Sequence, residues 1–213
     1  MKIKKIAVEN YKKFCSFKGS DYIASEFALE SLLLLIVTFK VKNILELGMG
    51  IGSVSDTILK FDQINNINYF GTENNDFCLE VLPHNVEHFK KITLVPELKY
   101  IKNKKFDLII VDGLDESLVD IEKYCAESTI LFIEGDRATQ TAKILNIFPK
   151  SLYVNVITLE KNSPYGHGGG NIHNYKGGGQ LFFINPTFQM RKYWFQQKVG
   201  TFIKRKIRII SGK

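Results

Sequence analysis

The segment Ile44-Leu45-Glu46-Leu47-Gly48-Met49-Gly50-Ile51-Gly52-Ser53 constrains this chain more than any other. The segment 41–47, with Val41, Ile44, Leu45 and Leu47, reads as a buried strand, three glycines then alternate with other residues, and a helical pattern follows over 54–61. A strand that turns through glycines into a helix is the opening unit of a parallel α/β sheet, because parallel strands need a crossover. Glycines let the turn bend tightly and let a ligand come close to the backbone. The G-x-G-x-G spacing is not the G-x-G-x-x-G of dinucleotide sites. Glu46, two residues before the first glycine, would repel a pyrophosphate and suits a ligand that carries positive charge.

The remaining pattern alternates in the same way. Strands are predicted over 67–72, 92–95, 106–111 and 129–134, with helices over 77–89, 118–124 and 138–148. The runs at 106–111 and 129–133 are apolar apart from Asp107 and Thr129, as expected for parallel strands covered on both faces. A helix before the first strand is predicted to reach residue 39, capped by Ser20 or Asp21. Strands at 152–159 and 180–184 have no helix between them and are expected to pair antiparallel. Between them lies a segment with glycine triplets at 168–170 and 177–179, either a disordered loop or a functional lid.

Composition narrows the class. With 45% hydrophobic and 24% charged residues, the 213-residue chain is globular and fits one α/β domain over 1–190. Three widely spaced cysteines, with no C-x-x-C pair, point to a reducing cytoplasm. No apolar run approaches the ~20 residues of a membrane span, and no secretory signal is read at the basic N-terminus. The net charge of +7 is concentrated at one end. Residues 191–213 hold Arg191, Lys192, Lys198, Lys204, Arg205, Lys206, Arg208 and Lys213 and no acid. The body is nearly neutral, so nucleic-acid binding by the whole protein is not implied.

A second feature is Phe70-Gly71-Thr72-Glu73-Asn74, which puts an acid at the end of the second strand. A carboxylate there can accept both hydroxyls of a ribose. A third is Phe106-Asp107-Leu108-Ile109-Ile110-Val111-Asp112-Gly113. Together with Glu46-x-Gly48-x-Gly50-x-Gly52, these resemble class I S-adenosylmethionine-dependent methyltransferases over roughly residues 20–185. The Asp-Gly after the fourth strand is more like the small-molecule and sugar O-methyltransferases than the branches with Asn/Asp-Pro-Pro-aromatic. The resemblance implies a Rossmann-like, doubly wound, mostly parallel sheet of about seven strands with an antiparallel last strand. It implies that Glu46, Gly48, Gly50, Gly52 and Ser53 hold the methionine part of S-adenosylmethionine, that Glu73 and Asn74 hold the ribose, and that Pro96 to Leu98 lie near the adenine. Asp112 would sit beside the transferred methyl.

Relatives similar to catechol O-methyltransferase hold a divalent metal, and Asp112, Glu134 and Asp136 stand in comparable places here. Oxygen ligands suit Mg²⁺ or another divalent ion. The alternative is that Glu134 and Asp136 cap the next helix or that Asp136 pairs with Arg137. A hydroxyl acceptor needs a base, for which Asp112, His167 and His173 are candidates. His84-Asn85-Val86-Glu87-His88 matches an inverted zinc-peptidase pattern, but it lies away from the strand carboxyl ends and lacks a third ligand.

The basic segment 191–213 carries Phe195, Val199, Phe202, Ile203, Ile207 and Ile210 near one helical face. It reads as an interfacial helix on an anionic membrane, which would place a cytoplasmic protein at the inner membrane face. A helix docked on the body, a homodimer contact and a nucleic-acid arm are the alternatives. The expected activity is methyl transfer to a hydroxyl of a sugar, glycan or other small polar acceptor. Rivals are an RNA or protein methyltransferase that uses the basic segment, a non-catalytic cofactor-binding module and, against the glycine spacing, a nicotinamide oxidoreductase.

Overall fold

In the computed structural model, which describes residues 2–61, 66–113, 116–135, 137–165 and 171–211, the apolar strands assemble into one seven-stranded sheet. The elements in chain order are α1 (Lys2–Phe14), α2 (Glu26–Phe39), β1 (Asn43–Leu47), α3 (Ser53–Phe61), β2 (Asn68–Thr72), α4 (Asp76–Asn85), β3 (Ile92–Val95), β4 (Phe106–Val111), β5 (Cys125–Glu134), α5 (Ala138–Ile147), β6 (Leu152–Val156), β7 (Gly179–Ile184) and α6 (Phe188–Ser211). A 3-10 stretch, Glu116–Tyr124, precedes β5. The strand order is β3-β2-β1-β4-β5-β7-β6. β7 runs antiparallel to both of its neighbours, and the other pairings are parallel. The expected architecture is therefore the observed one.

Successive strand residues alternate between two cores, since side chains along a strand point to opposite faces. Ile44, Leu108, Ile110, Ile130 and Phe132 face the layer of α1, α2 and α3. Leu45, Ile109, Val111, Leu131 and Ile133 face α5 and the 3-10 stretch. All ten are at most 1% exposed, and burial of each contributes about 1.5–3 kcal/mol. Doubly covered strands explain the apolar runs at 108–111 and 130–133.

Two helix boundaries differ from expectation. α2 begins after Ser25, whose Oγ accepts from the Ala28 amide at 3.2 Å, and not after Ser20 or Asp21, which sit in a short 3-10 turn. α4 ends at Asn85 because Val86 turns extended (φ −94°, ψ 112°), so His84 and His88 do not share a helical face. The basic C-terminal segment forms most of α6, which lies along β6 with Tyr193 and Trp194 packed on the core.

The strand order reverses between β1 and β4, and ligands in open α/β sheets bind at such a switch point. Here the two chains nearly touch. Gly48 has φ +80°, and a Cβ on it would lie 2.8 Å from both N and Cα of Gly113. The amides of Asp112 and Gly113 both donate to the Leu47 carbonyl at 3.0 Å. Gly50 also has positive φ (+53°), but a Cβ there would meet nothing within 4 Å. Gly48→Ala should therefore lose about 2–4 kcal/mol through left-handed strain plus a backbone clash, and Gly50→Ala only about 1–2 kcal/mol through strain. Urea denaturation of the two variants checks this; equal losses would contradict it.

Candidate functional site

The carboxyl ends of β1 and β4 open onto two adjoining clefts. The larger, of about 580 Å³, is lined by Gly48, Gly50, Glu73, Asn74, Asp112, Gly113, Glu134 and Arg137, with Asp21, Tyr22 and Ile23 on its N-terminal side. The smaller, of about 230 Å³, is more enclosed by apolar groups and includes Met49, Ile51, Ser53, Phe77 and Cys78. Gly50, Tyr22, Ile23 and Asp112 line both.

Glu73 holds the glycine turn in place. Its Oε2 accepts from the Gly50 amide at 2.7 Å, and its Oε1 accepts from the Asn74 and Asn75 amides at 2.9 Å each. The Gly48 and Met49 amides meet the Thr72 carbonyl at 3.1 and 3.0 Å, which ties the turn to the end of β2. A carboxylate offers about four acceptor positions; these three bonds leave Glu73 capacity for a ligand hydroxyl.

Asp112 is the acid at the junction of the clefts. Burial raises its pKa to about 7; Glu134 and Glu73 push in the same direction, and Arg137 opposes them. The Arg137 guanidinium stands 3.6 Å from Asp112 Oδ1 and 3.9 Å from Glu134 Oε2. Glu134 is itself raised by burial, opposed by the Ser25 amide that donates to its Oε1 and by Arg137. Gln140, from the first turn of α5, donates to the Gly113 carbonyl at 2.7 Å and fixes the loop from the other side.

Glu46 lies deeper than its place in the motif suggests. It is 0% exposed, lines neither cleft and accepts from the Tyr69 hydroxyl at 2.5 Å, while its Oε1 has no hydrogen-bond partner among the described residues. Burial holds its pKa well above the carboxylate range, opposed by Tyr69 and reinforced by Asp112 and Glu73. Gly52 packs against Val86 and Leu82 beneath the turn.

The other sequence candidates fall apart in space. His167 and Asp136 lie outside the described residues. His173 is exposed on a turn, its amide bonded to Asn171 Oδ1, and it lines neither cleft. Among the described residues no group of three or more His, Cys, Asp or Glu could hold a metal ion. The cation that faces Asp112 and Glu134 is Arg137, so the described donors do not fit a divalent site.

No protein-family model matches this chain, and no curated protein matches it. Solved structures do. A methyltransferase of Podospora anserina with S-adenosylhomocysteine bound is 11% identical, with 85% of this chain and 88% of that one covered and a TM-score of 0.60. The O-methyltransferase of Bacillus cereus, in complex with S-adenosylhomocysteine, is 11% identical over 86% of this chain and 91% of its own, with a TM-score of 0.55. The O-methyltransferase TomG of Streptomyces achromogenes, involved in tomaymycin synthesis and in complex with S-adenosylmethionine, is 11% identical over 87% and 91%, with a TM-score of 0.57.

This is the class I methyltransferase fold. Within it the residues found here fit the cofactor of that fold. The turn at Gly50 faces open space, Glu73 has acceptor capacity to spare, and acids ring a cleft of suitable size for a cationic ligand. Sequence reasoning missed Tyr22, which is 90% exposed at the mouth of both clefts, and the placement of Arg137. Gly19, with φ +88°, was the one local signal that the chain bends back toward the cleft just before Tyr22.

The buried acid predicts a pH effect on stability. With its folded pKa raised, Glu46 binds more protons folded than unfolded above the ordinary carboxylate range, so it favours the fold less as pH rises. Glu46→Gln keeps the shape and removes that proton. Its melting temperature should fall less between pH 5 and pH 8 than that of the wild type; parallel curves would contradict the assignment.

Proposed function

We propose that this protein is an S-adenosylmethionine-dependent O-methyltransferase that acts on a hydroxyl of a sugar, a glycan or another small polar acceptor. The observation that carries the proposal is Asp112, a carboxylate at the end of β4 where the two clefts meet. Glu73 and Asn74, with the Gly48–Gly50 turn, would hold the cofactor in the clefts, and Ser53 would line the apolar end. S-adenosylmethionine, when bound, supplies a methyl group already activated on a sulfonium. The chain then needs to position the acceptor in line and take its proton.

Asp112 takes that proton. The Asp112 carboxylate would receive the hydroxyl proton of the acceptor as its oxygen takes up the methyl group, with S-adenosylhomocysteine as the leaving product. Arg137 keeps the carboxylate from being neutralised too early, since it opposes the effects of burial and of Glu134 and Glu73. No step is routed through a metal. The preference for a polar acceptor rests on the mouth of the larger cleft, where Asp21, Glu134 and Arg137 present charged groups. A lipid-linked glycan would bring such an acceptor to a membrane surface.

Transfer of a labelled methyl group to a panel of glycans and small hydroxyl compounds tests the proposal. The rate should rise with pH and level off above about 7, because Asp112 must be ionised. Asp112→Asn should lose about 10²–10⁴-fold in rate while it still binds S-adenosylhomocysteine. Methylation of RNA or protein only, or full activity in Asp112→Asn, would overturn it.

A further inference from the structure

α6 has two faces, and only one is used by the fold. β6 is the last strand of the sheet, so its outward carbonyls form an open edge. α6 covers that edge with side chains spaced along one stripe. Trp194 Nε1 donates to the Tyr153 carbonyl at 2.8 Å, Thr201 Oγ1 to Asn155 at 2.6 Å and Lys204 Nζ to Ile157 at 2.9 Å. Arg208 Nε reaches Thr158 just beyond the strand at 3.1 Å.

At 100° per residue the opposite stripe is apolar. Phe188, Phe195, Phe202 and Ile209 recur every seven residues, with Val199 and Ile210 beside them. All are exposed, Phe195 at 61%, Phe202 at 63% and Ile210 at 74%. Arg191, Lys192, Lys198, Arg205 and Lys206 are exposed around this stripe, and the helix carries no acid. Lys204 and Arg208 are turned inward to the residues just after β6, so the outer cations are those this contact does not use.

We propose that the outer face of α6 docks on a bilayer of anionic phospholipids. The phenylalanines and aliphatic side chains would enter the acyl boundary, and the flanking lysines and arginines would meet the lipid phosphates. A second copy fits less well, because a twofold contact would set two acid-free, basic helices against each other. The anchoring bonds to β6 fix the helix on the body, so binding would hold the whole domain in one orientation. The proposal stands apart from methyl transfer, and a chain that binds no cofactor could still dock.

Flotation of the full chain with vesicles of phosphatidylcholine, alone and with about one third phosphatidylglycerol, tests it. Binding is expected to the anionic vesicles only, and to weaken with salt. Phe195→Ser/Phe202→Ser should bind at least about tenfold more weakly at an unchanged melting temperature, since both rings are exposed. Lys198→Gln/Arg205→Gln/Lys206→Gln should lose binding and most of its salt dependence. No flotation with anionic vesicles would overturn the proposal. So would vesicle binding unaffected by the phenylalanine changes, or sedimentation showing a dimer abolished by those changes without vesicle binding. A salt-sensitive gel shift with RNA in place of vesicle binding would assign the cations to nucleic acid instead.

Discussion

The close approach of Gly48 and Gly113 is the constraint on which the site depends. β1 and β4 are neighbours whose crossovers diverge, so their loops must separate within one residue of the sheet. They can do so only because neither loop carries a side chain at the point of contact. The Leu47 carbonyl then receives both amides of the second loop, which fixes Asp112 relative to the glycine turn. Glu73 completes the arrangement from β2 by holding the Gly50 amide. Cleft, Asp112 and turn are thus tied together by these contacts.

The acids of the cleft set its electrostatics. Glu73, Asp112 and Glu134 line it at the strand ends, and the facing cation among the described residues is Arg137. Such a pocket disfavours phosphate-rich ligands and favours a molecule with positive charge, such as a sulfonium. Burial, reinforced by this crowding of acids, raises the pKa of Glu46 well above the carboxylate range and that of Asp112 to about 7.

Much of this was legible in the sequence because it depends on local pattern. The strands at 92–95 and 106–111 match the apolar runs to the residue, and the antiparallel pairing of the last two strands followed from the lack of a helix between them. Other features depended on tertiary contacts. α1 was not assigned, because its buried stripe of Ala7, Asn10 and Phe14 includes a polar residue set among lysines. α4 was read too long because apolar residues continue through Val86 and Phe89 after the backbone has turned extended. Arg137 was read only beside Asp136 in sequence; among the described residues it faces Asp112, just after β4, and Glu134 of β5. The motif's first acid marked the right turn, but only the structure shows it sealed under Tyr69.

The proposed binding of S-adenosylmethionine at the β1–β4 switch point rests on the glycine turn and Glu73. Calorimetric titration of the folded protein with S-adenosylhomocysteine tests it most directly, with Glu73→Ala alongside the wild type. The wild type should show a single saturable site, and the variant should bind at least about tenfold more weakly, as expected for the loss of charged hydrogen bonds. No binding to the folded wild type, or equal affinity in Glu73→Ala, would contradict it.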